Sequence, residues 1–326
     1  MVSRKKLVIV LVAMVVSPVL LARFEAFAQE GFPNRPIEVV VPFAPGGPAD
    51  LGVRFFVDKW AEFLGQPVIV ANKGGASGAI GGKFVARAKP DGYTLLALNE
   101  STLLTAPLLR KDSGYNLDSF RYLWAHSKIT AFLSVKADSR WKTFGDFVNE
   151  AKKNPGKLKY ATWGPNSSSN MVMEMVCEVA GMKLTFVPFK SSPDSLAAVA
   201  GGNADIAVTF ALSGLGGSGL IRPLVISDEK RVSDYPDIPT LKELGYGIKF
   251  TTQYMGIAAP SQTPDKIASK LVEAHNKVRI KYAREIDEKL PKVDQYPAYL
   301  DEKEVLYYLK EREKVYEAFF QKLGSK

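Results

Sequence analysis

One cysteine and two histidines in 326 residues exclude several kinds of chemistry before any motif is sought. A lone Cys177 forms no internal disulfide, and no C-x-x-C pair offers a zinc site. His126 and His275 are too few for a histidine-based metal centre, so neither metal nor cofactor is expected. No basic block is interleaved with aromatics, and nucleic acid is not expected as a partner. Beyond residue 23 no apolar run approaches the roughly 20 residues that span a bilayer. The sequence also lacks repeats at solenoid periods, roughly 20–50 residues, and low-complexity linkers.

What is there begins with an address. Arg4, Lys5 and Lys6 precede the apolar run Leu7–Leu21, broken only by Ser17 and Pro18. Ala26-Phe27-Ala28 supplies the small residues that a signal peptidase reads, so 1–28 is expected to be a signal peptide cleaved after Ala28. The run is short for an anchor, and the mature chain is expected in the periplasm. Without this segment Lys plus Arg falls from 43 to 39 and Asp plus Glu from 34 to 33, a net +6 that can steer small anions. A chain 46% hydrophobic and 24% charged has the composition of a globular protein.

After residue 31 strand and helix patterns alternate. Ile37–Val41 is β-branched and ends at Pro42, Phe43–Pro48 turns, and Ala49–Leu64 carries Leu51, Phe55, Phe56, Trp60 and Phe63 on one apolar face. Strand Pro67–Ala71, the glycine-rich loop Lys73–Gly82, a helix ending near Ala88 and strand Tyr93–Leu98 come next. The rhythm recurs as helix Phe144–Lys153, strand Leu158–Thr162, helix Asn170–Ala180 and strand Thr185–Phe189. A helix capped by Ser192, with Pro193 in its first turn, then leads to strand Asp205–Phe210. Thr263-Pro264 opens a helix towards Tyr282, and Asp301–Leu323 is the last. The fold class is therefore α/β, with two units at 31–126 and 127–249. The last helix is expected to pack back on the first unit, so the chain crosses between units more than once.

Chemistry is expected at the loops. Pro45-Gly46-Gly47, Gly74-Gly75-Ala-Ser77-Gly78 and Gly164-Pro-Asn-Ser-Ser-Ser169 each succeed a strand and open a helix. Free amides and the positive end of a helix dipole suit an anion there, and Ser77, Ser101, Ser167, Ser168 and Ser169 add hydroxyls. Any one such loop reads more readily as a turn with a cap; three in two units strengthen the case for a ligand at the carboxyl ends of the strands. Gly214-Leu-Gly216-Gly-Ser-Gly219 matches GxGxxG, but Pro223 breaks the segment Leu220–Ile226 after it, and no helix is left to receive a pyrophosphate. Gly75-Ala-Ser77-Gly-Ala79 falls one residue short of a nucleophile elbow. A serine triad also needs a histidine, and both histidines read as packed or solvated. Cys177 reads as a small core residue.

In order and spacing these pieces resemble the Bug family, the periplasmic solute-binding proteins of tripartite tricarboxylate transporters. The resemblance runs from Pro33-Asn-Arg-Pro-Ile37 and Val41-Pro-Phe-Ala-Pro-Gly-Gly47 through Leu64-Gly-Gln-Pro-Val68, Gly75-Ala-Ser-Gly78 and Pro90-Asp-Gly-Tyr-Thr-Leu95. It continues in Asn154-Pro-Gly-Lys-Leu158, Glu174, Val187-Pro-Phe-Lys190, Gly201-Gly202, Asp205, Pro236-Asp-Ile-Pro-Thr240 and Thr263-Pro264. It implies a two-lobed, type II periplasmic binding fold, each lobe a mostly parallel sheet flanked by helices around a cleft. The lobes would be 29–126 with 250–326, and 127–249.

It also implies a ligand contacted at the matching positions Phe43, Ala44, Gly46, Gly47, Asp50, Ser77 and Gly78, and at Gly164 and Ser167 of the second lobe. Ser101 and Asp205 complete the expected set. Asp50 is expected to brace its loop or meet an amino or hydroxyl group, since a carboxylate would repel it. The implied function is a monomeric, non-catalytic receptor that captures a di- or tricarboxylate or an aromatic acid for membrane permease subunits. A secreted hydrolase or isomerase using the same cleft, and a sensor partner for signalling, remain alternatives. Asn170 stands where the family usually has histidine, Ser191 where it has glycine, and Gly214–Gly219 is shorter than the family's segment.

Overall fold

The computed structural model describes residues 31–324 apart from 111, 211, 213–217 and 249–251; the expected signal segment 1–28 and most of the Gly214–Gly219 loop lie outside the described residues. Strand β1 (Ile37–Val41) is the buried apolar run expected, with only Glu38 half-exposed. Helix α1 (Pro48–Leu64) buries Val53, Phe56 and Trp60 and ends at Gly65, whose left-handed φ of 70° suits a residue without a side chain. It returns the chain so that β2 (Val68–Asn72) pairs parallel with β1, and α2 (Ala79–Ala86) does the same for β3 (Thr94–Ala97). A short α3 (Ala106–Leu109) comes after β3. Strands β4 (Phe120–Ile129), β10 (Gln253–Pro260) and β11 (Tyr296–Leu300) complete the first sheet antiparallel, in the order β11-β4-β10-β3-β1-β2.

The second sheet repeats the scheme. Strands β5 (Ala131–Lys136), β6 (Lys159–Thr162), β7 (Thr185–Pro188), β8 (Ile206–Thr209) and β9 (Ile221–Ser227) lie in the order β7-β6-β8-β5-β9. Here β6 is parallel to β7 and β8, while β5 runs antiparallel to β8 and β9. Both sheets are mixed rather than mostly parallel as expected, because the strands by which the chain enters each sheet from the other, β10 and β5, run against their neighbours. Helices α4 (Phe144–Lys153), α5 (Ser168–Ala180) and α6 (Ser192–Ala200) flank it.

Only Thr130 separates β4 of the first sheet from β5 of the second, and β4 pairs with β10 as far as Ile129↔Gln253. The return crossing runs from Ser227 to Gln253. The two crossings lie side by side: the Thr130 hydroxyl donates to the Ser227 carbonyl at 3.0 Å, and Lys128 pairs with buried Asp228 at 3.1 Å. Helices α7 (Asp265–Lys281), α8 (Ala283–Lys289) and α9 (Glu302–Gly324) then return to the first sheet. As expected, α9 packs on it, with Val305, Leu309, Tyr316 and Phe319 buried in one cluster with Leu96, Leu98 and Tyr122.

Two helix starts differ from the sequence expectation. Helix α6 is capped by Ser191, not Ser192, because Ser191 is the residue in extended conformation whose hydroxyl reaches the Asp194 amide. Helix α5 begins at Ser168, two residues before the expected Asn170. Among the described residues no helix is long and apolar enough to cross a membrane.

Candidate functional site: a crevice between two sheets

The carboxyl ends of β1, β3 and β4 face those of β6 and β7 across a cavity of about 100 Å³. The first sheet supplies Phe43, Ala44, Pro45 and Gly47–Asp50, with Asn99 after β3 and Ile129 at the end of β4. The second supplies Trp163 after β6 and Lys190–Pro193 before α6. An engineered cavity of about 150 Å³ takes up benzene, so a cavity of this size suits a small molecule rather than a bulky one.

The first-sheet wall is braced by a buried carboxylate. Asp50 Oδ2 accepts from the Gly46 amide at 2.9 Å and from Arg54 Nε at 2.9 Å, and Oδ1 accepts from Asn72 Nδ2 at 2.9 Å. Asn72 in turn donates to the Phe43 carbonyl at 3.1 Å. Burial alone would raise the Asp50 pKa, but the hydrogen bonds from Arg54, Gly46 and Asn72 bring it below the usual carboxylate value. Asp50 thus remains ionised and fixes the turn, the first of the two expected roles.

That turn presents an open helix start. Gly47 stands at the cap of α1 with no side chain to offer, and Pro48 comes next. The first helical bond runs from the Leu51 amide to the Gly47 carbonyl, which leaves the amides of Ala49 and Asp50 without a helical acceptor. Both residues line the cavity. Across from them stand Lys190, exposed and free of any ion pair among the described residues, and the start of α6. The Trp163 indole N–H is buried and finds no acceptor among the described residues.

Helix α5 is built the other way. Ser167 caps it by accepting from the Asn170 amide at 3.2 Å, and donates to the Gly164 carbonyl at 2.9 Å. The Asn170 side chain accepts from the Asn166 amide at 3.0 Å and donates to Tyr160 at 2.8 Å. From the first sheet, Ser101 Oγ accepts from the Ser168 amide at 2.9 Å. Ser101, Ser167, Ser168 and Ser169 are fully buried.

The expected residues therefore divide. Phe43, Ala44, Gly47 and Asp50 line the cavity, and Gly46 belongs to the braced turn. Ser77 reaches across the rim to the Pro165 carbonyl at 3.4 Å. Gly78, at φ 91°, has no room for a side chain: a Cβ there would lie 2.0 Å from Thr102 Oγ1. Ser101, Gly164 and Ser167 gather at the α5 start rather than on the cavity wall. Asp205 lies at the other end of the second sheet's strands. It sits at the amino end of β8, where its carboxylate accepts from the Lys159 amide at 2.7 Å, and ligand crevices open at carboxyl ends.

Sequence reasoning passed over Asn99, Ile129, Lys190, Ser192 and Pro193 as lining residues, although it had marked Ser191 as a departure beside the cleft. The signal available was the strand end Val187–Lys190 running straight into a serine-capped helix, the same strand-to-helix step as in the glycine loops.

A larger, more open hollow of about 650 Å³ lies on the first sheet's own side, between α7, α8 and β11, with Phe56, His126 and His275 at its base. His126 is 5% exposed and His275 not at all. Burial drives the His126 pKa down to about 3 and that of His275 well below its usual value. The histidines are packed and neutral, stacked among Phe56, Trp60 and Trp124. Cys177 is likewise buried.

The model of the tripartite tricarboxylate transporter family receptors matches residues 53–325. The chain belongs to this receptor family. A Cupriavidus necator relative from the gbd 5' region is 34% identical over 306 residues, 93% of this chain and 92% of its own length. The periplasmic binding protein BugD superposes with a TM-score of 0.80 at 28% identity, over 90% of this chain and 99% of that one. The Rhodopseudomonas palustris protein MatC, solved with bound malate, gives 0.78 at 26% identity, over 88% and 99%. The receptor fold is accordingly the two-lobed one of periplasmic binding proteins, and the members of the family are solute-binding receptors rather than enzymes.

Proposed function

We propose that this receptor captures a small carboxylate between its lobes in the periplasm and hands it unchanged to the permease subunits of a tripartite transporter. The observation that carries the reading is the open start of α1: two amides and a helix dipole face a crevice whose other wall holds Lys190, a cation without an ion pair among the described residues. Charge-assisted hydrogen bonds contribute roughly 1.5–3 kcal/mol each. A ligand gripped from both walls therefore favours the closed state by an amount that neither wall supplies alone.

In this reading the lobes are those expected, 29–126 with 250–326 and 127–249, except that the first crossing moves to Thr130 because β4 stays paired in the first sheet as far as Ile129. The halves swing about Thr130 and the neighbouring return crossing. The ligand meets the turn Phe43–Asp50 on one side and Trp163 with Lys190–Ser192 on the other. Ser77, Gly78, Gly164 and Ser167 shape the rim, and Asp205 takes no part. Cleavage after Ala28 would release a monomer into the periplasm. The malate bound to MatC supports the ligand class, as does the size of the cavity.

The test is a thermal-shift screen of the mature protein against malate, other di- and tricarboxylates and aromatic acids, followed by calorimetry and by product analysis of each binder. A ligand at about 100 times its Kd stabilises by about 2.7 kcal/mol, a shift of several degrees. Stabilisation by a small dicarboxylate that is recovered intact supports the proposal. Indifference to every carboxylate, or turnover of one, sinks it.

A further inference from the structure

The contact that joins the lobes beside the crevice is held from the far end of the chain. Ser101 belongs to the first lobe and takes up the Ser168 amide at the start of α5 in the second. Met171 and Met175, on the first turns of that helix, pack into the first lobe's cluster with Leu103 and Leu104. Residues Ser101–Thr105 form a π-helical turn, fully buried, and such turns need support because their geometry is locally unfavourable. The support is Glu100. Its carboxylate receives both arms of Arg312 on α9, Nε at 2.9 Å and Nη2 at 2.7 Å, together with the Tyr316 hydroxyl at 2.5 Å and the Tyr308 hydroxyl. Both charges are 1% exposed. Asn99, on the cavity wall, is tied to the same segment through its acceptor bond from the Ser101 amide at 2.8 Å.

A buried ion pair of this kind is weak evidence for stability, because desolvation offsets most of its attraction. What it does well is hold geometry: the bidentate fork fixes the plane of Glu100 and hence the backbone that aims Ser101. We infer that Arg312 is a positioning residue for lobe closure, acting through Glu100 to hold Ser101 against the α5 helix start. The inference rests on the reading of the crevice as a closing ligand site.

The test is a double-mutant cycle on the full mature chain. Ser101→Ala removes the cross-lobe bond directly, and the paired change Glu100→Leu with Arg312→Met replaces the ion pair without leaving one charge buried alone. Each is expected to remain folded by circular dichroism, to enlarge the radius of gyration of the unliganded protein in small-angle scattering, and to weaken malate binding about tenfold. Combined, they should weaken it no further, since both act through one contact. Arg312→Lys, which keeps the charge and loses the fork, should fall between wild type and the paired change. A folded Glu100→Leu/Arg312→Met protein with wild-type affinity and wild-type dimensions overturns the inference, as does full additivity with Ser101→Ala. If the paired change does not fold, Arg312→Lys decides alone: wild-type dimensions and affinity overturn it. Should malate fail to bind even the wild type, the ligand reading fails, while the scattering comparison still decides the closure role.

Discussion

Two helix starts face the same crevice region and are finished in opposite ways. Helix α1 begins Gly47-Pro48 and leaves its first amides open, whereas α5 is closed by Ser167 from its own chain and by Ser101 from the other lobe. Both have the positive dipole end that an anion seeks. The difference lies in whether the protein has already filled it. In the proposed reading the open start is a ligand site in waiting and the filled one is a joint. Helix α6, capped by Ser191 yet lining the cavity with Ser192, stands between them.

The largest effect should come from making α1 resemble α5. Gly47 has ordinary extended angles, φ −80° and ψ 167°, and a Cβ there meets nothing nearer than the Ala44 carbonyl at 3.9 Å. Gly47→Asp should therefore fold, gain a few tenths of a kcal/mol from its new cap, and lose carboxylate affinity by about a hundredfold or more, because the ligand's place is taken by a fixed negative charge. Calorimetry beside a urea melt reads both, and undiminished affinity would remove α1 from the site. On the opposite wall, Lys190→Met should weaken binding about tenfold, the loss of one charge-assisted hydrogen bond, leave stability unchanged, and flatten the dependence of affinity on salt.

The histidines give a control in which stability moves and the crevice does not. Both are held neutral by burial, His126 with a pKa of about 3, while the unfolded chain protonates them near the ordinary value of 6.5. Their contribution is complete above pH 6.5 and declines as pH falls below it, for His126 until about pH 3. The slope approaches about 1.4 kcal/mol per pH unit for each. Urea melts at about pH 7, 6 and 5 should show it, and His126→Phe should remove about half. A flat stability profile over that range would mean that the pair titrates normally.

Opening α5 is the converse of closing α1. Ser167→Ala should lower stability by about 1 kcal/mol and change affinity by only about threefold, since the Ser101 bond remains. A loss of affinity as large as that of Gly47→Asp would mean that ligand, not protein, fills the α5 start.

The layers of this fold were legible in the sequence because hydrophobic period and breakers act locally. The helix Phe144–Lys153 has the bounds its pattern predicts, and the β-branched run at Ile37–Val41 and the return of the last helix to the first unit stem from the same signals. The division of labour among the loops was not legible. The glycine–serine loops read alike, and what separates them is a contact between Ser101 and Ser168, 67 residues apart. Asp205 misled for a related reason: its place next to a strand was visible, but which end of the sheet that strand begins at depends on β8 lying beside β6.

Thr130 alone bridges the sheets on the outgoing pass, tied sideways to Ser227 on the return. A link that short permits rotation and forbids sliding, so halves closing on a ligand as proposed would move like the jaws of a clip on one axle. A few degrees of torsion there grow with the lever arm into ångströms at the far lips. A membrane partner that grasps both jaws at once would thereby distinguish loaded from empty by outline, without ever touching the cargo.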